Sequence, residues 1–332
     1  MAAAAIPEAR TAAVVYNPIK VKLKELKAIV KVAEAEAGWN KTVWLATSVE
    51  DTGGGVTRQA IKIGVDVVMV AGGDGTVRSV GEALRGTNVP MALLPSGTGN
   101  LLARNLDMVL DDLTHSARTA FNGQDRRIDI GVVEAERADG TREEFAFLVM
   151  AGIGLDAQMV ANTNAELKKR VGWLAYVDAI ARSLRDSNSV RVRYEIDGQP
   201  QQSATVNTII VGNCGMLTGN ILLLPDAVID DGVFDIVAFR PKGFFGWVQI
   251  WIKIVWENGV LRRSTVGRQI MTISREVRAL RYLSGKRFTL RLDRPEDFEL
   301  DGDTFGEAIA LRAEVDHLAL AVRMPEAELE EA

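Results

Sequence analysis

Residues 67–77 read VVMVAGGDGTV, five apolar residues running directly into Gly72-Gly73-Asp74-Gly75-Thr76. Glycine is used where the backbone must take positive φ or come close to a ligand, and a turn alone does not need three of them around one carboxylate. A second turn, Ser96-Gly97-Thr98-Gly99-Asn100, follows the apolar PMALLP and precedes LLARNL. Backbone N–H groups in such turns, and the N-termini of the helices that follow, favour phosphate. Asp74 would repel a bare phosphate. It makes sense if Mg²⁺ bridges it to the phosphates, or if it accepts a hydrogen bond from a nucleotide. The plain alternative is two tight turns that close strand–helix units. Two of them at one sheet edge favour the phosphate reading. A third stretch, FELDGDT (298–304), puts Asp301 and Asp303 on the same side if the chain is extended. One carboxylate near an acceptor oxygen is what phosphoryl transfer asks for beyond positioning and charge neutralisation. An Asp-Gly hairpin turn is the alternative there.

The elements that must hold these residues alternate. Strands are expected at 11–18, 41–47, 65–72 and 90–95, and helices at 22–38, 57–64, from about 76 to 85, and from 101. This order predicts a doubly wound parallel sheet, with both glycine turns at the C-terminal ends of strands, where open α/β sheets bind ligands. Near 125 the pattern changes to short alternating strands, which predicts a β-sandwich or barrel-like second domain interrupted by helices at about 165–184 and 243–258. The expected domains are 10–127 and 128–325, with the C-terminal end able to pack back on the first.

The chain has 332 residues, 47% hydrophobic and 25% charged, with a formal net charge of −5. That excludes a whole-chain basic surface for nucleic acid. Lys20, Lys22, Lys24, Lys27 and Lys31 read as part of the first helix, either as a solvated face or as a patch facing anionic phosphate or lipid. The single cysteine, Cys214, excludes an internal disulfide framework and a cysteine zinc cluster. The start MAAAAIPEAR lacks a basic n-region, and no run reaches the length of a membrane span, so a cytoplasmic protein, soluble or peripheral, is expected. No Gly-x-x-x-x-Gly-Lys-Ser/Thr is present, which removes the P-loop class. GTGNLLA (97–103) matches a dinucleotide fingerprint, but on the wrong strand. A Ser-His-Asp hydrolase lacks its Gly-x-Ser-x-Gly elbow.

GGDGTV, LLPSGTGNLLARNL, FLVMAGIGLDAQMV, VGNCGMLTGN, LLLPDAVIDDGVFDIVAF and ELDGDTFG, in this order over about residues 11–325, resemble the diacylglycerol kinase catalytic-domain family, the bacterial lipid kinases related to sphingosine kinases. The resemblance implies an N-terminal nucleotide-binding α/β domain like that of NAD kinases and phosphofructokinases, a C-terminal β-sandwich and a cleft between them. It implies transfer of the γ-phosphate of ATP, with Mg²⁺, to a lipid alcohol such as diacylglycerol, within phospholipid metabolism. Asn17, Thr47, Gly72, Gly73, Asp74, Gly75 and Thr76 would line the nucleotide, and Gly97, Thr98 and Asn100 would form the second phosphate loop. Asp129 would join the Mg²⁺–nucleotide network. Asp231, with main-chain oxygens around Val228 and Val233, would hold a structural metal. Asp301 would activate the acceptor hydroxyl, with Asp303 beside it.

This sequence departs from the family pattern at Asp303 (usually Glu), Leu101 (often Asp) and Ser79 (often Glu), which leaves fewer carboxylates for metal. An NAD kinase-like enzyme and a non-catalytic nucleotide- and lipid-binding protein are the rivals. The segment 242–263, with Phe244, Trp247 and Trp251 on one helical face and Arg262 and Arg263 after it, reads either as core packing or as membrane contact. A homodimer is compatible with the family.

Overall fold

The computed structural model describes residues 10–154, 189–218, 221–240 and 280–326. The helices expected over 165–184 and 243–258 lie outside the described residues. The chain forms two compact units, residues 1–128 with 318–332, and residues 129–317. Among the described residues no helix is long and apolar enough to cross a membrane.

The first unit alternates β1 (Ala12–Tyr16), α1 (Leu23–Ala37), β2 (Val43–Ala46), α2 (Gly54–Ile63), β3 (Val67–Ala71), α3 (Asp74–Leu84), β4 (Met91–Leu93), α4 (Leu101–Asn105) and α5 (Leu113–Asn122). Strand β1 lies between β2 and β3 in parallel register, and β4 pairs parallel with β3. The chain later returns to this unit, where Val322 pairs in parallel with Met91. Every residue of β3 is buried, as its unbroken apolar run requires of a strand covered on both faces. Leu26, Val30 and Ala33 of α1 recur on one helical face and pack with Ala117, Ala120 and Phe121 of α5 against Val14, Val67 and Met69. Helix α1 stops at Gly38, whose φ of 69° is the left-handed cap that glycine takes without strain.

Two boundaries differ from the sequence expectation. Helix α2 starts at Gly54 rather than near 57, because the Asp51 carboxylate accepts from the N–H groups of Gly53 (3.0 Å), Gly55 (2.9 Å) and Val56 (2.9 Å). Helix α5 was not legible in the pattern. It is started by Asp112, whose Oδ1 accepts from His115 N at 2.9 Å, an N-cap without a long apolar run behind it.

The second unit is built from β5 (Gln124–Glu136, which enters it at 129), β6 (Arg142–Phe147), β7 (Met150–Ile153), β8 (Val190–Ile196), β9 (Gln202–Val206), β10 (Thr208–Gly212), the short pair β11 (Met216–Leu217) and β12 (Ile221–Leu222), β13 (Phe234–Phe239), β14 (Leu280–Gly285), β15 (Arg287–Leu300) and β16 (Asp303–Met324, which leaves it after 317). Antiparallel pairings run β14–β13–β10–β7–β15, with β8 beside β15, β9 on the other side of β8, and β5 and β6 forming a hairpin. The core of this β-sandwich domain gathers Phe147, Phe234, Phe288, Phe298, Leu290 and Ile236. Phe147 and Phe234 stack with centroids 5.5 Å apart. Gly131 is opposite Phe147, and a Cβ there would sit 2.2 Å from the ring, so only glycine fits. The apolar stretch 144–154 is divided into β6 and β7 at Leu148–Val149, and the stretch 203–213 into β9 and β10 at Asn207, whose N–H turns to Phe239 O at 2.9 Å.

Candidate active site

Strands β1 and β3 are parallel neighbours with Tyr16 opposite Ala71, so the turns after them lie side by side. Gly73 is the extended residue before α3, and Asp74 is its first helical residue. The first-turn N–H groups of a helix have no intrahelical acceptor and carry the positive end of its dipole. The second turn is closed by Asn100, in the left-handed region at φ 49°, whose Oδ1 accepts from Gly97 N (3.1 Å) and whose Nδ2 donates to Gly97 O (3.0 Å). The two turns touch through backbone. A Cβ on Gly97 would meet Gly72 O and Gly73 Cα, each at 3.1 Å, and a Cβ on Gly72 would meet Thr76 Cβ at 2.7 Å. Part of the glycine requirement is therefore this mutual packing.

Asp74 ties the turns together. Its Oδ1 accepts from Leu101 N, the first residue of α4, at 2.7 Å. One carboxylate thus joins the start of α3 to the start of α4. Thr76 is buried over Gly72, Thr47 is buried at the end of β2, and Thr98 is exposed at the tip of the second turn. Asn17 uses its Oδ1 to accept from Ile19 N at 3.0 Å, so its side chain shapes its own turn. The two unusual positions of this sequence are engaged as well. Ser79 is buried and its hydroxyl bonds that of Thr52 at 2.7 Å, and Leu101 is buried.

In the second unit Asp301 and Asp303 do not lie on one side of an extended strand. Leu300 pairs with Asp303, and Asp301 (φ 51°) and Gly302 (φ 89°) form the two-residue hairpin turn between β15 and β16. Both central residues have positive φ, which is why Asp-Gly is selected. Asp303 is exposed and Asp301 is buried, with its carboxylate turned to the 148–150 segment. Leu148 N donates to Oδ2 at 2.8 Å, and Val149 N and Met150 N donate to Oδ1 at 2.8 and 3.0 Å. These bonds replace ladder partners and explain the break between β6 and β7.

Asp129 also has partners that sequence reasoning missed. It is fully buried. Its Oδ1 bonds His317 Nδ1 at 2.7 Å, and its Oδ2 accepts from Gly232 N at 2.7 Å. Both of its oxygens thus have protein partners. Asn213, also missed, donates through Nδ2 to Asp129 O (2.9 Å) and Leu148 O (3.0 Å), joining the segments that the two carboxylates organise. No local pattern signals these contacts, because every partner is distant in sequence.

The loop around Asp231 closes on itself. Val233 N donates to Asp231 Oδ1 at 3.1 Å, Asp129 N donates to Ile229 O at 2.9 Å, and Val228 and Asp231 are exposed. Among the described residues no three of His, Cys, Asp and Glu gather as a metal cage. A Mg²⁺ that arrives with a nucleotide needs only one or two carboxylates besides the phosphates. Asp74, shared by the two turns, fits that smaller requirement.

A family model described as Diacylglycerol kinase catalytic domain matches residues 11–133, and one described as YegS C-terminal NAD kinase beta sandwich-like domain matches residues 149–250. The Diacylglycerol kinase of Bacillus subtilis (strain 168) is 26% identical over 73% of this chain and 77% of its own length. The Probable lipid kinase YegS-like of Pseudomonas fluorescens is 30% identical over 64% of this chain and 67% of its own length. The match to the Mycobacterium tuberculosis Diacylglycerol kinase, 29% identical, spans 53% of this chain and 56% of that protein. A crystal structure of a diacylglycerol kinase from Bacillus anthracis has the same fold, with a TM-score of 0.68 over 97% of this chain and 99% of that one at 18% identity. The chain belongs to the diacylglycerol kinase catalytic-domain family of lipid kinases.

Proposed function

We propose that this protein is a lipid kinase that transfers the γ-phosphate of MgATP to the hydroxyl of diacylglycerol or a similar lipid alcohol. The observation that carries the reading is the pair of glycine turns locked to each other through Asp74 and Leu101 N at the ends of parallel strands. Such a pair presents backbone N–H groups and two helix N-termini to a polyphosphate. Bound Mg²⁺ would neutralise charge on the transferring phosphoryl group. Gly72, Gly73, Gly75, Thr76, Gly97, Thr98 and Asn100 shape and line the cradle, and Asp74 offers the carboxylate for the metal. Asp301 accepts the acceptor hydroxyl's proton in this reading. Asp303 stands beside it on the hairpin. Asp231, with main-chain oxygens around Val228 and Val233, would hold a structural cation in this reading, and Asp129 would join the Mg²⁺–nucleotide network. The lipid is met at a membrane surface, with the chain acting peripherally from the cytoplasmic side.

A second reading, a non-catalytic nucleotide- and lipid-binding protein, is favoured by one observation. The Asp301 carboxylate is already engaged by three backbone N–H groups. Radiolabelled transfer from ATP to a panel of lipid alcohols in mixed micelles separates the two. A labelled lipid that disappears in Asp74→Ala supports the kinase. Silence across the panel, with MgATP binding intact by calorimetry, supports the binding protein.

A further inference from the structure

The glycine cradle contains no lysine or arginine of its own: its two turns read GGDGT and SGTGN. Nearby cations serve the protein. Arg78 pairs with Glu82 at 3.3 Å, and Arg104 Nε donates to Gly99 O at 2.7 Å. Lys20 is different. Its Nζ lies 3.0 Å from where a Cβ of Gly73 would be, with its Cδ and Cε at 3.7 and 3.8 Å. The side chain is therefore draped across the residue that precedes α3, and glycine at 73 leaves room for it.

The backbone holds that placement. Asn17 N donates to Ala71 O at 2.9 Å, which carries the β1–β3 register one residue further. Asn17 O then accepts from Lys20 N (3.1 Å) and Val21 N (3.2 Å), and Asn17 Oδ1 accepts from Ile19 N (3.0 Å). The side chain of Asn17 thus builds the turn that sets Lys20 over Gly73. Neighbouring lysines have other partners. Lys22 pairs with Glu25 at 3.6 Å, and Lys27 lies over the Trp44 ring. Among the described residues no carboxylate pairs with the Lys20 ammonium. A cation beside the positive end of a helix is electrostatically unfavourable until an anion joins it.

We infer that Lys20 is a nucleotide-binding residue, whose ammonium contacts the non-bridging oxygens of the polyphosphate held at the Gly72–Thr76 turn, with Asn17 as its positioning residue. The inference rests on the nucleotide reading above. It assigns to the turn after β1 the compact point charge that a lysine supplies to phosphates in other nucleotide folds. Asn17 then acts through Lys20 rather than by touching the ligand.

The test is calorimetric binding of MgATP and of AMP to the full chain and to Lys20→Met, Lys20→Arg and Lys22→Met, with the melting temperature of each. Lys20→Met is expected to weaken MgATP about ten- to a hundredfold with AMP much less affected, since the lost partner is a charged hydrogen bond to the outer phosphates. Lys20→Arg should recover part of that loss, Lys22→Met should bind as wild type, and all melts should agree, because Lys20 and Lys22 are exposed. Equal MgATP affinity in wild type and Lys20→Met would overturn the inference and leave the nucleotide reading standing. No MgATP binding by wild type would overturn both.

Discussion

At Asp301 one carboxylate accepts from the N–H groups of three consecutive buried residues, 148–150, so any substitution there acts on structure as well as on chemistry. Removing the acceptor in Asp301→Ala strands those donors, at about 1–3 kcal/mol for each unsatisfied group. A total near 3 kcal/mol would lower the melting temperature by about 6–12 °C. Asp301→Asn keeps one oxygen acceptor and should melt closer to wild type. If Asp301 is the base, Asp301→Asn loses far more transfer rate than stability. A stable and fully active Asp301→Asn would remove the residue from the chemistry. Asp74 supports a cleaner separation. Asp74→Asn retains an oxygen for Leu101 N but not the charge. It should weaken MgATP about tenfold or more, while Mg²⁺-free ATP binds no worse, because a repelling carboxylate is gone. Equal losses for both ligands in calorimetry would mean that Asp74 serves only to join the turns.

Among the elements, α2 owes its start to Asp51. Burial alone would raise this carboxyl's pKa, but the N–H groups of Gly55, Gly53 and Val56, with Arg58 nearby, outweigh burial and hold it below the ordinary aspartate value. A depressed folded pKa means that the stabilisation is complete above the unfolded value and is lost as pH falls through the folded one, below about pH 4. Asp51→Ala should therefore cost about 1 kcal/mol at pH 7. Urea titrations should show that gap shrinking at pH 3, and a gap that stays constant with pH would contradict a charge-based cap. This element also shows what the sequence carries. The glycine that ends α2 was legible, as were the apolar run of β3 and the turn after it. The start of α2 was not, because Asp51 acts from outside the helix through its side chain. Likewise Leu148 and Val149 read as one strand with their neighbours, since the carboxylate that breaks the ladder is about 150 residues away. The lysine run read as a single helical face. Helix α1 begins only at Leu23, which leaves Lys20 in the turn that Asn17 and Pro18 start.

For the whole molecule, the first unit is discontinuous: residues 318–332 belong with 1–128. Leu320 and Val322 are fully buried there. The mostly buried Arg323 pairs with Asp125 and donates through Nη1 to Ala120 O at 3.1 Å. Ending the chain after 317 should thus unfold the first unit, seen as loss of its share of the helical circular dichroism and, on the proposed function, of MgATP binding. A shortened chain that binds MgATP normally would contradict that dependence. The class of the first sheet could be read from its strand–helix alternation, and the family from motifs spread along the chain. The arrangement of Asp129 and Asp301 is less legible, because both carboxylates work through contacts that only the folded β-domain creates. The central claim, γ-phosphoryl transfer to a lipid hydroxyl, is tested most directly by mass spectrometry of the lipid formed from diacylglycerol and ATP carrying ¹⁸O on its γ-phosphate. The account predicts phosphatidic acid that bears the three labelled non-bridging oxygens and keeps the unlabelled oxygen of the acceptor hydroxyl. Unmodified diacylglycerol beside labelled inorganic phosphate would contradict it.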